Sequence, residues 1–290
     1  MTIPDLLRRL GPERGVETLQ ASLDGFRLGI LICTIGELIF RLPLRPADHF
    51  ATASVATIIA LGLYLCAFPN GRIADFGLLL IWIALIVRGF PENANHHFLG
   101  LLALLLVVSH NRRSTERAHH RAALGAIRFC AAAVFFQSGL QKVFYGQYFQ
   151  GAFLSFMVTF DLRFIQFFSV LSPEEVLRLA ALEPMADGAG PFRFHDAKAL
   201  LVNYATVLAE LSVGTALLFR RLDSLTKPLS LLTLGAIEVV AREFLFGALL
   251  GVFLLSFSEV KSRKLAPVFA AASYLSFYVT RAAFPHVGFN

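Results

Sequence analysis

Read for hydrophobic and polar positions, the chain is a succession of apolar runs of helical length separated by short polar punctuation. The runs cover about 24–42, 51–68, 74–90, 96–109, 123–145, 197–219, 228–257 and 266–284. Runs of this length predict helices able to cross a hydrocarbon layer about 30 Å thick. No stretch between them is long enough to build a soluble core. The pattern therefore predicts an all-α fold, a polytopic transmembrane helical bundle of about eight spans forming one integral-membrane domain over 1–290. The 228–257 run is interrupted by "EVVARE" (238–243) and is too short for two full spans. It is expected to be broken or re-entrant, because irregular backbone at membrane depth is tolerated where protein encloses it. Within 146–196, the Phe-rich "FLSFMVTFDLRFIQFFSVL" predicts an interfacial or re-entrant helix pair, and "EPMADGAGPFRFHDAK" a loop.

Composition agrees: 56% of the 290 residues are hydrophobic and 16% charged, a balance a soluble domain of this size could not keep in solution. The net charge of +6 is carried by short basic segments: residues 1–22, "NRRSTERAHHR" (111–121), "RRLDSLTK" (220–227) and "EVKSRK" (259–264). Lys and Arg favour the cytoplasmic side, so these segments and the N-terminus are expected inside, and 146–196 outside. No signal-peptide pattern and no nucleic-acid signature is expected from this charge. His119 and His120, in the basic loop, are expected to be solvated. Cys33, Cys66 and Cys130 are odd in number, far apart and set in apolar runs, which predicts packing rather than disulfides.

The information lies in polar groups that interrupt the apolar runs: Glu37, Asn95, His96, His97, Lys142, Glu210, Glu238, Arg242 and Glu243. Buried ionisable groups cost several kcal/mol each and persist mainly when paired or functional. Helical rise puts His96 and Lys142 each about 20 Å from the inner boundary, at matching depth on adjacent antiparallel helices. A lysine there has two readings: a partly desolvated base, or a stem that snorkels to the outer headgroups. His96 and His97 point about 100° apart on a helix and cannot form a one-face metal pair, and no metal site is expected. Glu238 and Arg242 are spaced to pair on one helical face, either steadying the break or anchoring a substrate. Asn203 and Glu210 share a face of one helix. Glu37 reads as a helix–helix hydrogen-bonding group.

These residues also carry a resemblance. "NHHFLGLLALLLVVS" (95–109), "VFFQSGLQKVFYGQYFQG" (134–151), "NYATVLAELSVGTALLF" (203–219) and "IEVVAREFLFGALLGVFLLSF" (237–257) follow one another in the order of the corresponding helices of the vitamin K-dependent γ-carboxylase family. The chain resembles in particular that family's bacterial relatives, the horizontally transferred transmembrane (HTTM) domain proteins. The resemblance implies an enzyme of the bacterial inner membrane in which Lys142 is the base that starts oxygenation of a reduced, vitamin K-like quinone, assisted by His96. It implies O2, and CO2 where carboxylation follows, as co-reactants. It also implies a pocket bounded by Asn95, Asn203, Glu210, Glu238, Arg242 and Glu243, and work beside membrane lipids and a soluble protein or peptide partner. The chain departs from the carboxylases at Asn203 and Glu238, where the family carries histidines, which leaves the second substrate open between a small molecule and a peptide. Two other classes fit the polar pattern: a non-catalytic lipid- or quinone-binding subunit, and a transporter with its site at the 238–243 break. Oligomeric state is not encoded in any of these features.

Overall fold

A computed structural model describes residues 2–41, 72–89, 95–111, 114–145, 148–161, 164, 167, 169–183, 192–241, 244–257 and 264–283. Among them there are helices and turns but no strand. The helices are α1 (Ile3–Leu10), α2 (Val16–Arg41), α3 (Ile73–Gly89), α4 (Asn95–Ser109), α5 (Arg117–Tyr145), α6 (Ala152–Phe160), α7 (Pro173–Ala180), α8 (Ala197–Ala216), α9 (Asp223–Ala241), α10 (Phe244–Ser256) and α11 (Leu265–Ala283). The 51–68 run lies outside the described residues. Among the described residues, three helices are long and apolar enough to cross a membrane: Val16–Glu37 of α2, α5 and α8. Four shorter apolar helices accompany them. The faces of these elements that do not pack inward are apolar as well: Leu80, Val87, Leu208 and Leu275 are each about two-thirds exposed. Large exposed apolar faces of this kind suit lipid better than water.

The chain divides into two compact units, Met1–Phe129 with Leu245–Tyr278, and Cys130–Phe244 with Val279–Asn290. In the first, glycines let helices approach. A Cβ at Gly100 on α4 would come within 2.2 Å of Trp82, whose indole N–H donates to the His97 carbonyl at 2.8 Å. A Cβ at Gly36 would meet the Tyr274 ring at 2.4 Å, and Tyr278 donates its hydroxyl proton to the Gly36 carbonyl at 2.7 Å. The N-terminal α1 starts with a capping box between Thr2 and Asp5 and lies on the first turns of α5. There Arg121 donates to the Gly11 carbonyl at 3.1 Å and Arg117 to the Arg14 carbonyl at 2.8 Å.

In the second unit, α5 beyond Phe129 and α8 pack as an antiparallel pair. Phe136 faces Gly214 and Gly139 faces Leu211; a Cβ at Gly214 would lie 2.5 Å from the Phe136 amide nitrogen. Small residues at such crossings let backbones touch, as membrane helices favour. After α5 the chain turns at Tyr148–Gly151, where Gly151 takes a left-handed φ of 69° and a Cβ would strike Phe194 at 2.3 Å. Beyond that turn, 152–199 builds a small core of its own from Leu154, Val158, Phe167, Leu179, Phe192 and Phe194. Of the Phe-rich stretch, residues up to Phe160 belong to α6, which packs against α7. The helix of the 228–257 run continues through Glu238 to Ala241 before α10 starts at Phe244.

Candidate functional site

The antiparallel register of α5 and α8 determines which polar groups meet. Moving along the pair from Phe136/Gly214 through Gly139/Leu211, the next turn brings Lys142 to Glu210. The Lys142 ammonium nitrogen lies 2.5 Å from both Glu210 carboxylate oxygens. The lysine side chain is 13% exposed and the acid 3%, so the lysine is turned inward rather than extended to a headgroup. Ser138, one turn before Lys142 on α5, accepts from Nζ at 2.9 Å and hydrogen-bonds the Glu210 carboxylate. The Tyr148 ring lies under the ammonium, 5.1 Å from Nζ to its centroid, at cation–π range. Two turns from Glu210 toward the start of α8, the buried Asn203 donates its amide to the Tyr148 carbonyl, and Tyr204 donates to the Phe149 carbonyl at 2.5 Å. Asn203 Oδ1 is buried and has no hydrogen-bond partner among the described residues.

Of the residues the sequence singles out, the structure therefore brings together Lys142, Glu210 and Asn203. Glu238 is half-buried on α9 of the same unit. Arg242 and Glu243, and with them the expected Glu238–Arg242 pair, lie outside the described residues. Asn95 starts α4, and His96 follows it in the first unit, half-buried with its ring 4.6 Å from that of His97. In that unit His97 Nε2 is 3.4 Å from Glu37 Oε1, both groups being under a tenth exposed. Neighbouring histidines on one helix diverge in direction, and His97 meets α2 at Glu37.

Ser138 and Tyr148 were not singled out by the sequence. A signal for Ser138 exists in its i, i−4 relation to Lys142 on one helical face. None exists for Tyr148, whose place depends on the turn after α5. The histidines of the basic loop also differ from expectation. His120 is fully buried and His119 half-buried, and with His110 they form a cluster of three rings whose centroids are 5.0–5.8 Å apart. They are inside because the backbone satisfies them: the Asn111 N–H donates to His119 Nε2 at 3.1 Å, and His120 Nε2 donates to the Ser114 carbonyl at 2.8 Å. Among the described residues, no group of three or more His, Cys, Asp or Glu stands where it could hold a metal ion.

Chemically, the Lys142–Glu210 pair sets a proton donor against an acceptor at hydrogen-bond distance. Moving one proton from Nζ to the carboxylate turns two charges into a neutral amine and a carboxylic acid, removing the cost of holding ions in an apolar surround. Ser138 can follow the shift because a hydroxyl both donates and accepts. No family model matches the chain, and no curated protein or solved structure matches it either.

Proposed function

We propose that this chain is an integral-membrane enzyme related to the vitamin K-dependent carboxylases and HTTM proteins, in which Lys142 removes a proton from a reduced, quinone-like lipid. In this reading it crosses the inner membrane of a bacterium about eight times with the N-terminus in the cytoplasm. It modifies a small molecule, or a peptide presented by a soluble partner, by quinol-coupled oxygenation or carboxylation. The observation that carries the reading is the lysine held 2.5 Å from a buried carboxylate with a hydroxyl beside both. The fit of a quinol rests on the buried Asn203 Oδ1, an acceptor with no partner among the described residues and suited to a phenolic O–H.

When bound, the reduced quinone supplies an acidic hydroxyl and the electrons that reduce O2. Glu210 first takes a proton from the Lys142 ammonium, leaving a neutral amine. That amine then accepts the hydroxyl proton, and Glu210 can pass its own proton on through Ser138. Asn203 orients the quinol by accepting from its other hydroxyl, and the Tyr148 ring steadies the ammonium that forms. A positioned general base of this kind contributes about 10²–10⁴-fold to rate.

The test is quinol-dependent oxygen uptake by the purified chain in lipid nanodiscs. Uptake should fall at least about 100-fold in Lys142→Ala with folding retained; unchanged uptake would sink the proposal. The tightness of the pair favours one rival, a non-catalytic membrane subunit in which Lys142–Glu210 only fastens two helices. On that reading, no quinol-dependent uptake occurs in any variant.

A further inference from the structure

In the first unit, the link between α4 and α5 is closed by histidines, and its hydrogen bonds fix where their protons are. The Asn111 N–H donates to His119 Nε2 at 3.1 Å, so that nitrogen carries a lone pair and the ring is neutral. The Ser114 carbonyl can only accept, so His120 Nε2, at 2.8 Å from it, carries a proton. His120 Nδ1 faces His110 Nε2 at 3.3 Å, both rings are buried, and one proton serves the two nitrogens. The Ser114 N–H returns to the Asn111 carbonyl at 3.1 Å and completes the turn.

The three rings respond differently to an added proton. His110 and His120 can take one more between them and still share a hydrogen bond, because either ring can become the donor. A proton on His119 Nε2 instead turns the acceptor of the Asn111 N–H into a second donor, and that bond is lost. It also charges a ring stacked on His110 at 5.0 Å and lying 5.8 Å from His120.

The charged groups around the cluster are divided among its neighbours. Arg72, just before α3, donates to the His110 carbonyl at 3.5 Å and to Asn111 Oδ1 at 3.4 Å. Helix α2 brings Asp24 and Arg27 to the cleft that His110 and His119 line, Arg27 being held on Asp75 of α3. Helix α1 faces the same cleft with the apolar Leu7. On α5, Arg117 and Arg121 both reach back to the N-terminal segment, where Arg121 meets Glu13 at 3.0 Å. Glu116 favours a charged His119, but burial first and His120 second outweigh it and hold the ring below its ordinary 6.5.

We propose that His119 is the catch of a proton-operated latch, which keeps the turn from His110 to His120 closed at neutral pH and releases it on acidification. Release would free the first turn of α5, to which Arg117 and Arg121 tie the N-terminal segment. The closed ring resists a proton that the released ring accepts at its ordinary value. Closure is therefore complete above about pH 6.5 and weakens as pH falls below it. The latch does not depend on the chemistry of Lys142.

The experiment uses the full chain in nanodiscs, labelled with nitrogen-15 at histidine, each ring being assigned through its own backbone amide. At neutral pH, His119 Nε2 should resonate as a bare nitrogen and His120 Nε2 as a protonated one. Exchange of the Asn111 and Ser114 amides, corrected for its intrinsic pH dependence, should rise severalfold, up to about tenfold, between about pH 7.5 and about pH 5.5. In His119→Gln, whose side-chain carbonyl accepts without titrating, that rise should be absent. A protonated His119 Nε2 at neutral pH, exchange that stays level on acidification, or an equal rise in His119→Gln would each overturn the proposal. The first two measurements use the unaltered chain, so a folding defect in His119→Gln leaves the result decisive.

Discussion

Two acid–base pairs of the second unit, one on α7 and one between α5 and α8, look alike on paper and behave differently. Glu175 and Arg178 are three residues apart on α7, the guanidinium gripping both carboxylate oxygens at 2.9 and 2.6 Å. Arg178 also donates to the Arg193 carbonyl, and Glu175 accepts the His195 N–H at 2.8 Å, so the pair fastens the strap 192–196 onto α7. Lys142 and Glu210 are 68 residues apart on two helices. Arginine stays charged at any working pH, whereas a lysine ammonium can lose its proton. The first pair can only hold a shape; the second can hold a shape and exchange a proton. The difference lies in the cation and in the depth of the pair, not in the presence of an ion pair.

The largest effect should follow from separating those two roles. Lys142→Met leaves Glu210 buried opposite an apolar chain, and losing one partner of such a pair costs about 3–5 kcal/mol. Thermal unfolding in detergent should show a clear drop in Tm. Adding Glu210→Leu removes the stranded acid, and the double variant should recover most of that stability, because well-packed apolar replacements of buried pairs are close to neutral. Quinol-dependent uptake should not return. A double variant that regains stability and activity together would make the pair a fastener like Glu175–Arg178.

A smaller effect should come from the crossing that positions the pair. Gly214→Ala places a methyl 2.5 Å from the Phe136 nitrogen and 2.8 Å from its Cα, and backbone cannot step aside as a side chain can. Overpacking of this kind costs about 1–3 kcal/mol. Because Lys142 and Glu210 lie along the same helix pair, activity should fall with stability. Gly235→Ala on α9 is the control: nothing lies within 4 Å of the new Cβ. It should be neutral or stabilise by up to about 1 kcal/mol, since alanine favours a helix. Equal losses at the two glycines would mean that the α5–α8 approach does not set the site.

How legible these features are in the sequence depends on whether they are local. The helices follow from apolar runs, and α2, α5 and α8 have the length and composition the pattern demands. Lys142 and Glu210 stand out because charge in an apolar run is costly wherever it falls. That they touch each other is a property of register, and register is fixed by Gly139 and Gly214, which a single sequence does not distinguish from any other glycines. The burial of His120 is hidden for a related reason. Its neighbours are Arg117 and Arg121, so composition reads a solvated loop, while the Ser114 carbonyl that satisfies it belongs to backbone that sequence pattern does not see. The enclosure of 152–199 as a small core is likewise invisible, because an apolar stretch this rich in Phe suits a lipid surface equally well.

On the structural side of the comparison, Glu175→Gln should loosen the strap while leaving the helix pair intact. It weakens a charge-assisted fork but keeps an acceptor for the His195 N–H, so a cost of about 1–2 kcal/mol is expected. The readout is faster amide exchange at 192–196 with no change across α8 beyond its first turn. Exchange that rises throughout α5 and α8 would show that the two pairs are energetically one unit.

The smallest effect is that of pH, and it separates the pairs without any substitution. The Arg178 fork holds the Glu175 carboxyl below its ordinary value of 4.5, and the backbone N–H groups of Ser172 and Lys198 hold Asp196 below its ordinary 3.8. A carboxyl whose pKa is lower folded than unfolded adds stability that is complete above the unfolded value. That stability is lost as pH falls through the unfolded value and toward the folded one. Amide protection of 192–196, corrected for intrinsic exchange, should therefore be level above about pH 5 and decline below about pH 4.5. The decline should shrink in Glu175→Gln and again when Asp196→Asn is added, since each removes one titrating group. A decline that persists undiminished in the double variant would place the acid sensitivity elsewhere. Glu175 and Asp196 would then be as indifferent to protons as the Arg178 guanidinium.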